Sequence, residues 1–378
     1  MLVKIANFLL PSIFLIAFFW ANQNGLALTN DSADYLAAAK SFASDFSLQR
    51  ADGSPFVYWS PLYPIFLAFL PLWSLKIAHA LAFLLLFWVI WLFSKTVEMP
   101  YRVFYVALFS FSTENFIAFS FVWTEAIFLA LWAWYSYFFS EKRYKIAIIL
   151  GFLMLLQRNA GIFLIAGLFF DQMLKKNLSK TWLHFLLVVS GFLARNSFVS
   201  YFYENKLAVS WFQNGSFFQN YQSLSLALAD WFFPKFVFPE MRIFLVTILL
   251  VSIYIVTFKK NTNQILEISY FPELFYLLLL VFISPSAVDL PRFLTLIFPF
   301  LLLRSVFLLK KIRFKRTIFA ILCVLLLYTA LRWAYNVYSF KNRTYPRLEN
   351  AILRRPIRTW SLFGQNSAAN SVLSTFTN

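Results

Sequence analysis

The chain has 378 residues, of which 61% are hydrophobic and 13% charged, and its formal net charge is +17 at pH 7. A soluble domain is about half apolar and about one quarter charged, so this composition excludes a water-soluble globule. The basic excess is expected in short cytoplasmic loops that set membrane topology, and not in contact with nucleic acid.

Apolar runs near the ~20 residues needed to cross hydrocarbon recur along the sequence and predict an all-α, polytopic transmembrane helical bundle. About eleven spans are expected from hydropathy and the distribution of Lys and Arg. Their approximate ranges are 5–21, 77–94, 103–119, 122–139, 144–159, 160–174, 182–197, 243–258, 268–283, 293–309 and 317–335. Residues 1–335 are therefore predicted to form one transmembrane domain.

Three segments lie outside these spans and have their own character. Residues 22–60 form a long first loop, residues 198–241 form a second loop rich in aromatic side chains, and residues 336–378 form a short basic tail. The segment 61–74 is apolar but short and bounded by prolines, which predicts an interfacial helix at the end of the first loop.

The short basic connections predict the orientation of the chain. With the N-terminus in the cytoplasm, basic loops such as 95–102 and 310–316 fall inside, as Lys and Arg prefer. Both long loops then fall outside, and an odd number of spans places the tail outside as well. The chain is expected to be a multi-pass protein of a cytoplasmic (inner) membrane, in contact with membrane lipids.

Carboxylates collect where the predicted outer face meets the membrane. Asp31 and Asp34 lie at the start of the first loop in a segment with helical character, and Glu114 and Glu125 fall near the outer ends of two spans. Asp31 alone would be explained as a helix cap, worth about 1 kcal/mol. Because carboxylates are costly at a membrane unless they are used, their convergence on one face indicates a site.

Three arginines are predicted on the same outer face. Arg158 lies between two closely spaced spans, Arg195 closes a later span and Arg292 precedes the tenth. Each one alone fits an arginine that extends to the lipid headgroups. The planar guanidinium also binds phosphate through a fork of donors, so arginines beside paired acids predict a phosphate clamp next to a general base.

Six short motifs occur in order between about residue 30 and residue 302. They are Asp31-Ser32-x-x-Tyr35-Leu36, Trp59-x-Pro61-Leu62-Tyr63-Pro64, Trp123-Thr124-Glu125, Arg158-x-x-Gly161, Arg195-Asn196 and Arg292-Phe293. In this order and on this common side, the sequence resembles the GT-C superfamily of integral-membrane glycosyltransferases. These enzymes use polyprenyl-phosphate-linked sugars and include protein O-mannosyltransferases and the lipid A aminoarabinose transferase.

The resemblance implies roles for the matching residues. Asp31 corresponds to the first-loop acid that acts as general base, and Glu125 corresponds to the second acid. Arg158 and Arg292 are implied as contacts to the donor phosphate, and Arg195 is predicted to join them. A divalent metal, Mg²⁺ or Mn²⁺, bridging Asp31 and the phosphate is a further possibility that the sequence does not decide.

Three further residues of the motifs, Asp34, Tyr35 and Tyr63, are predicted to bind substrate. The chain departs from many GT-C relatives in two ways: Asn30 precedes the first acid where glycine is common, and a short tail stands where a soluble C-terminal domain is common. The second departure leaves the acceptor open among lipid, glycan and protein.

The function predicted from these residues is an inverting glycosyltransferase that moves a sugar from a polyprenyl-phosphate donor to an acceptor on the outer face of the membrane. One alternative is a flippase or transporter of lipid-linked saccharides, for which Glu273 in the ninth span is the main indication. The other is a polysaccharide polymerase or ligase that uses polyprenyl donors.

Overall fold

The structure is a computed structural model that describes residues 2–56, 59–99, 101–202, 216–259, 264–283, 289–310 and 315–348. Part of the predicted second loop, 203–215, and most of the predicted tail, from residue 349 onward, lie outside the described residues. Within the described part the chain forms sixteen α-helices and one short 3₁₀ turn, with no β-strand.

The first eight helices are α1 (Leu2–Ala21), α2 (Asn30–Asp45), α3 (Leu62–Ala68), α4 (Leu75–Ser94), α5 (Tyr101–Ser110), α6 (Thr113–Ser120), α7 (Glu125–Ser140) and α8 (Tyr144–Gln157). The second eight are α9 (Gly161–Leu174), α10 (Leu178–Phe202), α11 (Phe217–Phe232), α12 (Pro239–Lys259), α13 (Gln264–Ile283), α14 (Leu290–Leu294), α15 (Phe298–Lys310) and α16 (Lys315–Asn342). Every predicted span coincides with one of these helices or with a consecutive pair of them.

The predicted number of eleven spans is not confirmed. Among the described residues, only two continuous helical stretches are long and apolar enough to cross a membrane, and the bent pair α5 and α6 would make a third. Five further apolar helices are shorter. The third predicted span is broken because Ser112 stops α5 and caps α6, its hydroxyl accepting a hydrogen bond from the amide of Asn115.

The loops contain more helix than the sequence predicted. The first loop holds α2, close to the expected segment, and the interfacial segment 61–74 forms α3 followed by a 3₁₀ turn at Leu72–Ser74. The second loop contains α11, an amphipathic helix that the sequence analysis did not predict. Because Asn, Gln and Ser alternate with apolar residues in this segment, its hydropathy is low and the apolar side that packs against α12 and α13 was not recognised.

Helix α2 is fixed by contacts on both sides of its N-terminus. Thr29 and Ser32 form a capping box, and the Ser32 hydroxyl donates to the carbonyl of Val122 at 3.0 Å. The segment before the helix pairs with the connection between α6 and α7, since the amide of Ala27 donates to Ser120 and its carbonyl accepts from Val122. These contacts place the first turn of α2 beside the start of α7.

Close helix packing at Gly167 joins α9 to α13. A Cβ atom at Gly167 would lie 2.5 Å from the carbonyl oxygen of Phe271 and 2.6 Å from the Cα of Pro272. Both neighbours are backbone atoms, which cannot turn away as a side chain can. Small residues allow such close approach between membrane helices.

We expect Gly167→Ala to destabilise the protein by about 1–3 kcal/mol, the usual cost of overpacking. Thermal unfolding of the purified protein in detergent measures the effect. Gly161→Ala is the control, because its new methyl group would meet the side-chain ends of Leu155 and Phe128 instead of backbone. Equal stability of the two variants would contradict a backbone-limited contact at Gly167.

Candidate active site

Two arginines share one buried carboxylate at the centre of the site. The Oε1 atom of Glu125 lies 2.5 Å from Nη1 of Arg158 and 3.3 Å from Nε of Arg292. The Glu125 side chain is only 2% exposed, and those of Arg158 and Arg292 are 15% and 13% exposed. The attraction is strong because little water screens these charges.

Helix ends place the three groups. Glu125 is the first residue of α7, where the positive end of the helix dipole favours a carboxylate. Arg158 ends α8 in an extended conformation, which turns its side chain back to donate to the Thr124 hydroxyl at 3.0 Å. Arg292 belongs to the short helix α14 that opens after residue 289.

Arg292 connects Glu125 to the first loop. Its Nη2 atom donates to Oδ2 of Asp31 at 2.7 Å, although 261 positions separate the two residues in sequence. Its Nε lies 3.4 Å from Oδ1 of Asp289, on the turn just before. Asp31 and Arg292 therefore lie side by side, as the predicted pocket requires.

Aromatic rings enclose the guanidinium groups. The guanidinium of Arg292 lies 4.7 Å from the ring centre of Trp123 and 5.0 Å from that of Phe293. Arg158 lies 5.0 Å from the same Phe293 ring. The Trp123 indole is fixed in turn by donating to the Thr29 hydroxyl at 2.9 Å. Cation–π contacts of this kind hold both arginines in place and exclude water from them.

Electrostatics keeps Arg292 charged despite its burial. Burial alone would lower the pKa of Arg292, but the carboxylates of Asp31 and Glu125 outweigh that effect and raise the pKa. Tyr35 is also part of this cluster: burial raises the pKa of its phenol, and the negative charges of Asp31 and Glu125 raise it further. Tyr35 therefore faces the site as a neutral hydroxyl.

The site has a closed end and an open end. Glu125 is almost fully buried, whereas the Asp31 side chain is 26% exposed and that of Asp289 is 33% exposed. Asp31 and Asp289 thus both meet Arg292 and the solvent-accessible side, and Asp31 makes the closer contact, at 2.7 Å against 3.4 Å. Three carboxylates face two guanidinium groups in this cluster, so its formal charge is negative when no ligand is present.

Two predicted substrate-binding residues have protein partners for their polar atoms. Asp34 accepts two bonds from the guanidinium of Arg50, at 3.1 and 3.0 Å, and one from the amide of Ala51 at 3.1 Å. The Tyr63 hydroxyl lies 3.1 Å from Nε2 of His79 in the core. Both residues stabilise the loop that carries Asp31, and their role towards substrate stays a prediction.

Two other residues lie in separate groups. Arg195 is 4% exposed and donates to the side chain of Asn196 at 2.6 Å, and no described contact joins it to Arg158 or Arg292. Glu114, which the sequence predicted on the same outer face, pairs with Arg332 of α16 at 3.0 Å. The place of Arg195 in the phosphate site therefore stays a prediction.

Two groups at the site were not among the residues predicted from the sequence. Asp289 stands three residues before Arg292, and this spacing on a helical turn was the signal that could have identified it. Tyr276 of α13 donates to the carbonyl of Phe293 at 3.2 Å and so supports the turn that carries Arg292. One tyrosine inside an apolar span gave no signal in the sequence.

No group of three or more His, Cys, Asp and Glu side chains with metal-binding geometry occurs among the described residues. Oδ2 of Asp31 already accepts from Arg292. The described residues do not form a complete metal site, and Mg²⁺ or Mn²⁺ stays a prediction.

Comparison with solved structures identifies the fold. The chain superimposes on the crystal structure of ArnT from Cupriavidus metallidurans bound to undecaprenyl phosphate with a TM-score of 0.57 and 11% sequence identity. The match covers 98% of this chain and 75% of ArnT. No family model and no curated protein matches the sequence. The likeness confirms the predicted all-α fold and shows that the chain shares the fold of ArnT.

We expect Glu125→Gln to destabilise the protein strongly, because it leaves two buried guanidinium groups without their shared anion. Breaking a buried pair in this way typically costs about 3–5 kcal/mol. Thermal unfolding in detergent measures the loss. Glu141→Gln, at the exposed opposite end of α7, is the matched control and should unfold like the wild type. A Glu125→Gln protein as stable as this control would contradict the central role of the carboxylate.

Proposed function

We propose that the protein is an inverting glycosyltransferase that transfers a sugar from a polyprenyl-phosphate donor to a hydroxyl of an acceptor. The observation that carries the proposal is Arg292, which joins Asp31 to Glu125 inside a fold shared with ArnT. The crystal structure of that protein contains undecaprenyl phosphate, and a polyprenyl phosphate is the leaving group that the proposed reaction releases.

The donor phosphate binds to Arg158 and Arg292 in this proposal. Both present N–H groups from a cluster walled by Trp123 and Phe293. A guanidinium binds phosphate oxygens through two parallel hydrogen bonds. In this site both guanidinium groups are already oriented and largely shielded from water, so donor binding requires little reorganisation. The phosphate takes the place of Asp31 on Nη2 of Arg292, which releases the Asp31 carboxylate.

Asp31 then acts as the general base. The acceptor hydroxyl oxygen forms a bond to the anomeric carbon of the sugar while the bond from that carbon to the phosphate oxygen breaks. The hydroxyl proton passes to Asp31, and the polyprenyl phosphate leaves with the electron pair, its charge stabilised by the two arginines. Proton transfer of this kind contributes about 10²–10⁴-fold, and a single displacement inverts the anomeric centre.

Glu125 has a positioning role in this mechanism. It is too buried to meet an acceptor, and its Oε1 atom is occupied by both arginines. Its negative charge allows two guanidinium groups to stand side by side in a dry site. Glu125 therefore fixes the phosphate clamp, and Asp31 is the catalytic carboxylate.

The sequence supports action on the outer face, because basic connections fall on the other side of the predicted topology. A donor held by its lipid presents its sugar at the membrane surface, and Asp31 lies near the start of the first loop, which the sequence predicts on the outer face. The acceptor in this proposal is a lipid, a glycan or a protein that approaches the exposed side of Asp31.

Glu273 does not favour the transporter alternative. Its two carboxylate oxygens accept from Nε of Arg304 at 3.1 and 3.0 Å, and both side chains are completely buried. The Ser269 hydroxyl accepts a further bond from Arg304 at 2.8 Å. This buried ion pair connects α13 to α15. The presence of Glu273 within an apolar helix is therefore explained by its structural role, without a substrate path through the membrane.

We expect Asp31→Asn to fold and insert normally but to lose transfer by at least about 10²-fold, because the amide cannot accept the proton. Release of polyprenyl phosphate from a labelled polyprenyl-phosphate monosaccharide by the purified protein measures turnover. Asp45→Asn is the matched control, since Asp45 is exposed at the other end of the same helix. Turnover of Asp31→Asn at the control rate would exclude Asp31 as the base.

Arg292→Lys tests the phosphate clamp separately from the chemistry. Lysine keeps the charge but loses the planar fork, so we expect binding of undecaprenyl phosphate to weaken by about tenfold or more. Arg102→Lys is the control: this guanidinium binds carbonyl oxygens of residues 94, 95 and 97, away from the site. Undiminished binding by Arg292→Lys would assign the phosphate to other residues.

A further inference from the structure

A basic cavity lies between the end of α16 and the segment that follows α1. Its volume is about 490 Å³, and it is lined by residues 21, 23 and 24 together with residues 341 and 343–347. Three of these lining residues are basic, namely Lys341, Arg343 and Arg347. No Asp or Glu occurs among the described residues that line it, in contrast to the Asp31 site.

Arg347 is a buried lining residue of this cavity, and hydrogen bonds hold its guanidinium in place. It is 6% exposed, and its Nη1 atom donates to the Asn22 side chain at 3.2 Å and to the Gly25 carbonyl at 3.4 Å. Its Nη2 atom donates to the carbonyl of Phe340 at 2.9 Å. These acceptors are neutral, so they orient the guanidinium without cancelling its charge. Burial lowers the pKa of Arg347 to about 10, which leaves it charged at neutral pH.

Aromatic side chains place the cavity at the level of the lipid headgroups. The ammonium of Lys341 lies 4.0 Å from the ring centre of Trp20, which is itself exposed at the end of α1. Tyr335 and Tyr338 are exposed on the last turns of α16. Trp and Tyr prefer the membrane–water interface, and α16 is the helix least covered by the rest of the protein among the candidate spans. The cavity therefore opens where phosphates of membrane lipids lie.

We propose that this cavity binds the phosphate of an anionic lipid headgroup. Lys341 and Arg343 approach it from α16 and from the turn that follows, and Arg347 is its buried lining residue. Arg and Lys are the donors that bind phosphate, and basic pockets between membrane helices bind lipid headgroups. This site is separate from the donor site, and the inference does not depend on the proposed function.

The backbone connects this cavity to the first loop. The amide of Leu28 donates to the carbonyl of Pro346, and the amide of Leu348 donates to that of Leu26. The chain that leaves the cavity thus pairs with the segment that leads to Thr29, the cap of α2. A lipid bound at Lys341 and Arg343 stabilises this pairing and, through it, the helix that carries Asp31.

Thermal unfolding in a neutral detergent tests the proposal with three probes: dihexanoyl phosphatidylglycerol, dihexanoyl phosphatidylcholine and inorganic phosphate at matched ionic strength. We expect the anionic lipid to raise the unfolding temperature of the wild-type protein more than the other two. In the double variant Lys341→Gln, Arg343→Gln, the apparent affinity for phosphatidylglycerol should fall at least about tenfold, since each basic residue contributes about fivefold near anionic lipid.

The matched control is Arg143→Gln, Lys145→Gln, which removes one Arg and one Lys that are exposed at the start of α8. It should keep the wild-type response to phosphatidylglycerol. Equal responses of the wild type to the two lipids, or an undiminished response of the Lys341→Gln, Arg343→Gln protein, would overturn the proposal. A response to inorganic phosphate as large as that to phosphatidylglycerol would overturn the assignment to a lipid.

Discussion

The arrangement of the site depends on one carboxylate that two buried arginines share. Like charges repel strongly where little water is present, so Arg158 and Arg292 can lie close together only with an anion between them. Glu125 supplies that anion, and its Oε1 atom is within ion-pair distance of both. Glu125 begins α7, Arg158 follows the last residue of α8, and Arg292 lies in the short helix α14. The Oε1 atom of Glu125 therefore also holds these three helices together.

The second requirement is that Asp31 reaches Arg292 from a loop far away in sequence. The loop has no membrane span of its own, so it is held by backbone pairing of Ala27 with Ser120 and Val122 and by the cap at Thr29. Trp123 completes the attachment, since its indole donates to Thr29 and its ring faces Arg292. The same aromatic side chain thus links the anchoring of the loop to the guanidinium that Asp31 contacts.

The sequence predicted the helical bundle, the helix after the first loop and the residues Asp31, Glu125, Arg158 and Arg292 that the structure brings together. Hydropathy located the apolar helices, because lipid requires continuous apolar helices, but the number of spans is not confirmed. It did not recover the break between α5 and α6, because a cap at Ser112 leaves the apolar pattern unchanged. Hydropathy also does not indicate which charged side chains form ion pairs. Glu114 was predicted near the site, but in the structure it pairs with Arg332.

The proposed donor site and the cavity at Lys341 and Arg347 both contain arginines, but they differ in one respect that bears on their roles. At the proposed donor site, acids stand beside the arginines, and Asp31 occupies Arg292 when no phosphate is bound. A carboxylate that competes for the clamp lowers its affinity for phosphate, and a transferase needs such competition because the polyprenyl phosphate must leave after every turnover. The cavity at Lys341 and Arg347 has basic groups and no acid among its described lining residues. The donor site therefore suits a ligand that is exchanged at every turnover.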